Sequence, residues 1–183
     1  MSETKKYVAL LRGINIGGHH KIPMATLKKT LKSMGFEQVK TLLNSGNVIF
    51  DGAFDPKTDP EKQLSTKLEK TFGFPIPVLL RTADEIQELI RIQPFKAVEV
   101  TKDTRLYVSF LKREPETQIQ LPWTSADGSL HILSVHQKSV CTVLDLSATK
   151  TVKGMDTLET LLGKTNMTTR NWNTINRIAE KLD

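Results

Sequence analysis

The sequence predicts an α+β fold with antiparallel sheets, on three observations: short apolar runs bounded by turn residues, amphipathic stretches with recognisable caps, and an irregular alternation of the two. Residues 7–13 begin as an apolar strand and run into Gly13-Ile14-Asn15-Ile16-Gly17-Gly18, a loop by composition. A helix follows, with Pro23 in its first turn, Met24, Leu27, Leu31 and Met34 on one face, and Gly35 to end it. Strands at 38–43 and 47–50 flank Asn44-Ser45-Gly46, which accepts hairpin geometry. Asp59-Pro60-Glu61 then starts a helix carrying Leu64, Leu68 and Phe72, with Gly73 as its stop. A strand at 74–81 takes Pro75 and Pro77 only near its start or on a sheet edge.

This β-α-β-β-α-β order is the ferredoxin-like split unit, two helices on one face of a four-stranded antiparallel sheet. Thr82-Ala83-Asp84-Glu85 is a capping box ahead of Ile86, Leu89 and Ile90, a helix that joins two halves. A second cycle has strands at 105–111, 130–135 and 140–146, the last two linked by His136-Gln137-Lys138-Ser139. The stretch 114–123 between them is ambiguous. Met155, Leu158, Leu161 and Leu162 mark a helix, and a last one starts near Thr169 with Trp172, Ile175, Ile178 and Leu182 inward. No closing strand is visible, so the second half reads as an incomplete repeat. The expectation is a duplicated ferredoxin-like (βαββαβ) arrangement with an additional C-terminal helix. Residues 1–82 form the first half, 83–103 the linking helix and loop, and 104–183 the decorated second half.

Hydrophobic residues at 38% and charged residues at 25% are ordinary globular usage over 183 residues, enough for one large domain or two small ones. The apolar runs fall far short of the ~20 residues of a membrane helix, and the start of the chain lacks a secretory pattern. Cys141 is the single cysteine, which excludes an intrachain disulfide and suits a cytoplasmic home. On its strand it reads as a packed, inert thiol. His19 and His20 are adjacent and His131 and His136 five apart, spacings that give no metal site, and no cofactor is expected. Tyr7, Phe50 and Tyr107 lack the glycine-aromatic signature of RNA-binding sheets and read as buried.

The net charge is +6, and residues 1–35 alone carry that much, with seven lysines and arginines against Glu3. An anionic partner, a nucleotide, nucleic acid or phosphorylated metabolite, would be drawn there. Three polar clusters sit at element junctions. The first, around Arg12, Asn15, Gly17, Gly18 and Lys21, offers backbone N–H groups that could hold an anion, though its glycines match neither a P-loop nor a dinucleotide fingerprint. The second holds Asn44, Ser45 and Asn47, and the third Arg170 and Asn171, placed in the first turn of the last helix behind Thr168 or Thr169 as cap. For the first two clusters plain turn geometry is the leading reading and ligand binding the second. Arg12 and Arg170, each at a junction and off the apolar stripe of its element, are expected to face one shared polar site with Asn15. No catalytic constellation is recognisable. A small-molecule enzyme with its site in a cleft between the halves, and a protein-interaction scaffold, remain as rival readings.

The three clusters together carry a resemblance. Residues 7–18 with Lys21-Ile22-Pro23-Met24, the Ser45-Gly46-Asn47-Val48 hairpin, and Thr168-Thr169-Arg170-Asn171-Trp172 resemble the bacterial domain-of-unknown-function 1697 family over nearly the full length. That resemblance implies a cytoplasmic α+β fold with a duplicated ferredoxin-like arrangement. It implies no assigned reaction and carries over no catalytic residue.

Overall fold

The computed structural model describes residues 3–149, 154–162 and 167–183. It is a mixed α+β structure whose chain divides into two compact units, residues 1–88 with 177–183, and residues 89–176.

The first unit holds β1 (Lys5–Leu11), α1 (Met24–Ser33), β2 (Glu37–Leu42), β3 (Asn47–Gly52), α2 (Pro60–Phe72) and β4 (Val78–Thr82), with the start of α3 (Ala83–Ile92). Its sheet runs in the order β2-β3-β1-β4 and every pairing is antiparallel. Strand alternation places Ala9, Leu11, Val48, Phe50, Val78 and Leu80 on the face that packs with Leu27 and Leu31 of α1 and Leu64 and Leu68 of α2. Tyr7, Phe36, Phe50 and Phe54 form an aromatic cluster at its rim, with Phe36 and Phe50 rings 4.5 Å apart. Phe50 is wholly buried in the core, and Tyr7 packs half-buried against it.

The caps follow the sequence. Asp59 accepts from the N–H of Glu61 (3.0 Å) and of Lys62 (3.1 Å), Pro60 occupies the first turn, and Gly73 ends α2 at φ 83°. Thr82 and Glu85 make the reciprocal capping box of α3: Glu85 Oε2 accepts from the Thr82 N–H at 2.7 Å, and Thr82 Oγ1 from the Glu85 N–H at 3.2 Å.

The second unit holds β5 (Thr104–Leu111), β6 (Trp123–Thr124), β7 (Leu130–His136), β8 (Ser139–Asp145), α4 (Gly154–Leu161), β9 (Met167–Asn171) and most of α5 (Trp172–Ala179). Its antiparallel sheet runs β6-β7-β8-β5-β9. Leu111, Leu130, Ile132, Val140 and Leu144 pack with Leu158 and Leu162 in its core.

Two sequence expectations are corrected here. The second cycle does have a closing strand, β9, and the last helix starts at Trp172 instead of Thr169. Thr168 and Thr169 are β-branched and suit a strand. They pair with Phe110 and Ser109 of β5, and the Thr169 hydroxyl hydrogen-bonds Ser109 at 2.7 Å. Arg170 is therefore a strand residue. Asn171 is the residue that caps α5, its Oδ1 accepting from the Asn173 N–H at 2.9 Å.

Candidate functional site

The loop after β1 is held by its own backbone before any side chain acts. Leu11 N–H donates to Gly46 O at 2.8 Å and Arg12 N–H to Pro77 O at 3.0 Å, pinning the strand end between the hairpin loop and the start of β4. Ile14 is buried beneath. His19 N–H closes on Ile16 O at 3.1 Å, and Gly17 and Gly18 between them take φ 58° and 79°, the left-handed pair that a tight two-residue turn demands.

Asn15 joins the first cluster to the second. It sits at φ 55°, donates through Nδ2 to Asn44 O (2.7 Å) and Ile22 O (3.3 Å), and accepts from Ile22 N–H through Oδ1 (2.8 Å). Asn47 is wholly buried and donates to Leu42 O (3.1 Å) and Ser45 Oγ (2.9 Å). These amides spend their hydrogen bonds on the loop itself. What the junction presents to solvent is Arg12, Gly13, Ile16, Gly17, Gly18, His19, His20 and Lys21, with Leu43, Asn44 and Ser45. The His20 ring stacks on Phe74 with centroids 4.4 Å apart. No acidic residue occurs between Glu3 and Glu37, so the charged side chains that this segment contributes here and on α1, Arg12, Lys21, Lys28, Lys29 and Lys32, are all basic.

The third cluster belongs to the other unit, and its parts separate. Arg170, facing Val108 in register, is buried. Its Nη1 donates to Thr168 Oγ1 and Thr169 O, both at 3.1 Å, and burial pushes its guanidinium pKa down to about 10. Arg12 lies in the first unit and is exposed.

One feature of the first unit escaped the sequence reading. A groove of about 600 Å³ runs along α2 from Met34, at the end of α1, lined by Asp59, Lys62, Thr66, Lys67 and Lys70. Lys62, Thr66, Lys67 and Lys70 line it from one side of the helix and Asp59 from its cap, so its lining carries three lysines and one carboxylate. That carboxylate is already bound to two N–H groups as the helix cap. The signal was present in the 62, 67, 70 spacing, but lysines on a helix read first as solvated surface.

Among the described residues no three of His, Cys, Asp and Glu gather closely enough to hold a metal ion, and no helix is long and apolar enough to cross a membrane. Cys141 is buried, and that burial raises its thiol pKa to about 11.

Among solved structures the chain is similar to the conserved bacterial protein SP0830 from Streptococcus pneumoniae, at 22% identity and a TM-score of 0.68, over 99% of this chain and 100% of that one. The likeness is one of fold. Nothing among the curated proteins matches. A family model described as protein of unknown function (DUF1697) matches residues 4–141, three quarters of the chain, and the chain belongs to that family.

Proposed function

We propose that this is a cytoplasmic binding protein for a phosphate-bearing anion, a nucleotide, nucleic acid or phosphorylated metabolite, which it takes on its first unit. The observation that carries the reading is the lysine-lined groove along α2, in the unit that also bears the basic strand-loop-helix segment from Arg12 to Lys32. Lysine ammoniums bind phosphates as point charges, and their convergence on a concave surface raises the local concentration of anions.

We also propose that both units share one ferredoxin-like plan, the second without the helix between its first two long strands. The support is in the register. Tyr7, Val8 and Ala9 face Thr82, Arg81 and Leu80, while Tyr107, Val108 and Ser109 face Asn171, Arg170 and Thr169. Leu11 N–H bonds Gly46 O just as Leu111 N–H bonds Lys138 O, both at 2.8 Å.

The test is a salt series with two probes, inorganic polyphosphate and a labelled mixed-sequence single-stranded oligonucleotide. Affinity is expected to fall as salt rises, with a slope of about 0.7 per phosphate contacted on the oligonucleotide. Replacing Lys62, Lys67 and Lys70 by Gln is expected to flatten that slope by about two. Binding that ignores salt, or that the triple variant leaves intact, overturns the reading.

A further inference from the structure

The second unit carries a separate cavity, about 560 Å³, within the size range of small-molecule sites. It opens where the end of α3, the even-numbered face of β5 and the first turn of α5 converge, and Leu106 and Ile90 contribute half-buried apolar surface to its lining. One wall is aromatic. Trp172 meets Phe95 edge to face, with centroids 5.1 Å apart and planes at 67°, and Phe95 is buried, which fixes the indole in place. Around this apolar body stand three amides, Gln93, Asn173 and Asn176, and one cation, Lys96. Asn176 uses its Nδ2 on Trp172 O at 2.9 Å, leaving its Oδ1 as an acceptor. The side chains of Gln93, Asn173 and Lys96 make no hydrogen bond or ion pair among the described residues.

We propose that this cavity binds a nucleoside monophosphate, with the base against Trp172, its edge read by the amides, and the phosphate at Lys96. Each part of the site answers a part of the ligand. An immobilised indole offers a flat face on which any base stacks. Side-chain amides carry a donor and an acceptor together, which is what a base edge presents. The lysine supplies a charge for the phosphate beside an otherwise uncharged lining. An aliphatic ligand would leave the donors and acceptors of the three amides unused. The inference does not rest on the phosphate reading of the first unit, because it is observed at a residue of the second.

The test uses the full chain labelled with ¹⁵N. The chain has two tryptophans, and the variant Trp123→Phe identifies the indole N–H signal of Trp172. Adenosine monophosphate, uridine monophosphate, adenosine and inorganic phosphate are titrated in turn. At least one nucleotide is expected to shift the Trp172 signal saturably. Asn173→Ala, an exposed position, is expected to weaken that binding about tenfold with an unchanged melting temperature. Adenosine, lacking the phosphate, is expected to bind more weakly than its monophosphate and to be indifferent to Lys96→Gln. The proposal is overturned if neither nucleotide gives a saturable shift at Trp172, if Asn173→Ala has no effect on a shift that occurs, or if inorganic phosphate alone reproduces it.

Discussion

Arg81 and Arg170 hold the same register position in their two sheets, Arg81 opposite Val8 and Arg170 opposite Val108, each one residue before the last of its strand. Both are buried. Arg81 donates to Leu80 O at 2.8 Å and lies 4.0 Å from Glu61 Oε1. Desolvation lowers its pKa, while the carboxylates of Glu85 and Glu61 act to raise it. Truncating a buried charge strands its partners, so Arg81→Ala is expected to cost about 3–5 kcal/mol in urea unfolding. Arg81→Met, which keeps the volume, is expected to cost clearly less than Arg81→Ala. Equal losses for the two would mean that charge, not packing, is what the position needs.

Two glycines with nearly the same backbone separate conformation from space. Gly46 and Gly73 have φ of 80° and 83°. A Cβ at Gly73 meets nothing within 4 Å, whereas at Gly46 it lies 2.8 Å from both Ile14 Cδ1 and Leu11 Cβ. Gly73→Ala is expected to cost about 1–2 kcal/mol for the left-handed conformation alone. Gly46→Ala adds about 1–3 kcal/mol of overpacking and should move Ile14, loosening the loop that Asn15 holds. Thermal unfolding of the two variants side by side measures the difference.

The Asp127 carboxylate accepts from Ser125 Oγ, Ser129 N–H and Ser129 Oγ at 2.6, 3.0 and 2.8 Å. These bonds, led by Ser125, lower its pKa from 3.8 to about 2. A depressed acid pKa stabilises above the unfolded value and is lost as pH falls through the folded one. The turn at 125–129 should therefore hold at pH 4 and loosen as pH approaches 2. A carboxyl ¹³C titration of Asp127 with a midpoint near 4 would contradict this.

Cys141 pairs with Val108 in register and is wholly buried. With its thiol pKa pushed up to about 11, it should resist a disulfide reagent at pH 8 and react stoichiometrically in urea, at a rate set by opening of the sheet. Rapid labelling of the native protein would refute the buried placement.

Where local chemistry decides a structure, the sequence was sufficient. Asp59-Pro60, Gly73 and the Thr82/Glu85 box each act within a few residues, and each appears as read. The hairpins at 43–46 and 137–138 were legible for the same reason. The strand β9 was not, because Thr168-Thr169-Arg170-Asn171 suits a helix entry as well as a strand. Only its pairing with β5, some sixty residues earlier in the chain, decides between them. Asn15 was legible as a loop residue but not as the link to Asn44, since nothing local announces a partner 29 positions away. The cavity at Trp172 was hidden for the same cause, being assembled from three elements distant in sequence.

The order of strands also constrains how the chain can be made. In each unit the earliest strand is interior to its sheet: β1 lies between β3 and β4, and β5 between β8 and β9. On the ribosome, β1 cannot fill its second hydrogen-bonding edge until Thr82 has emerged, nor β5 until Asn171 has. The hairpins β2–β3 and β7–β8 close over only a few residues and form fast, so each waits as a preformed template for the older strand. During that interval Ala9-Leu10-Leu11 and Val108-Ser109-Phe110-Leu111 are the segments most open to pairing with another chain. Lys5 and Lys6 ahead of the first, and Lys112 and Arg113 behind the second, place like charges where such pairing would begin.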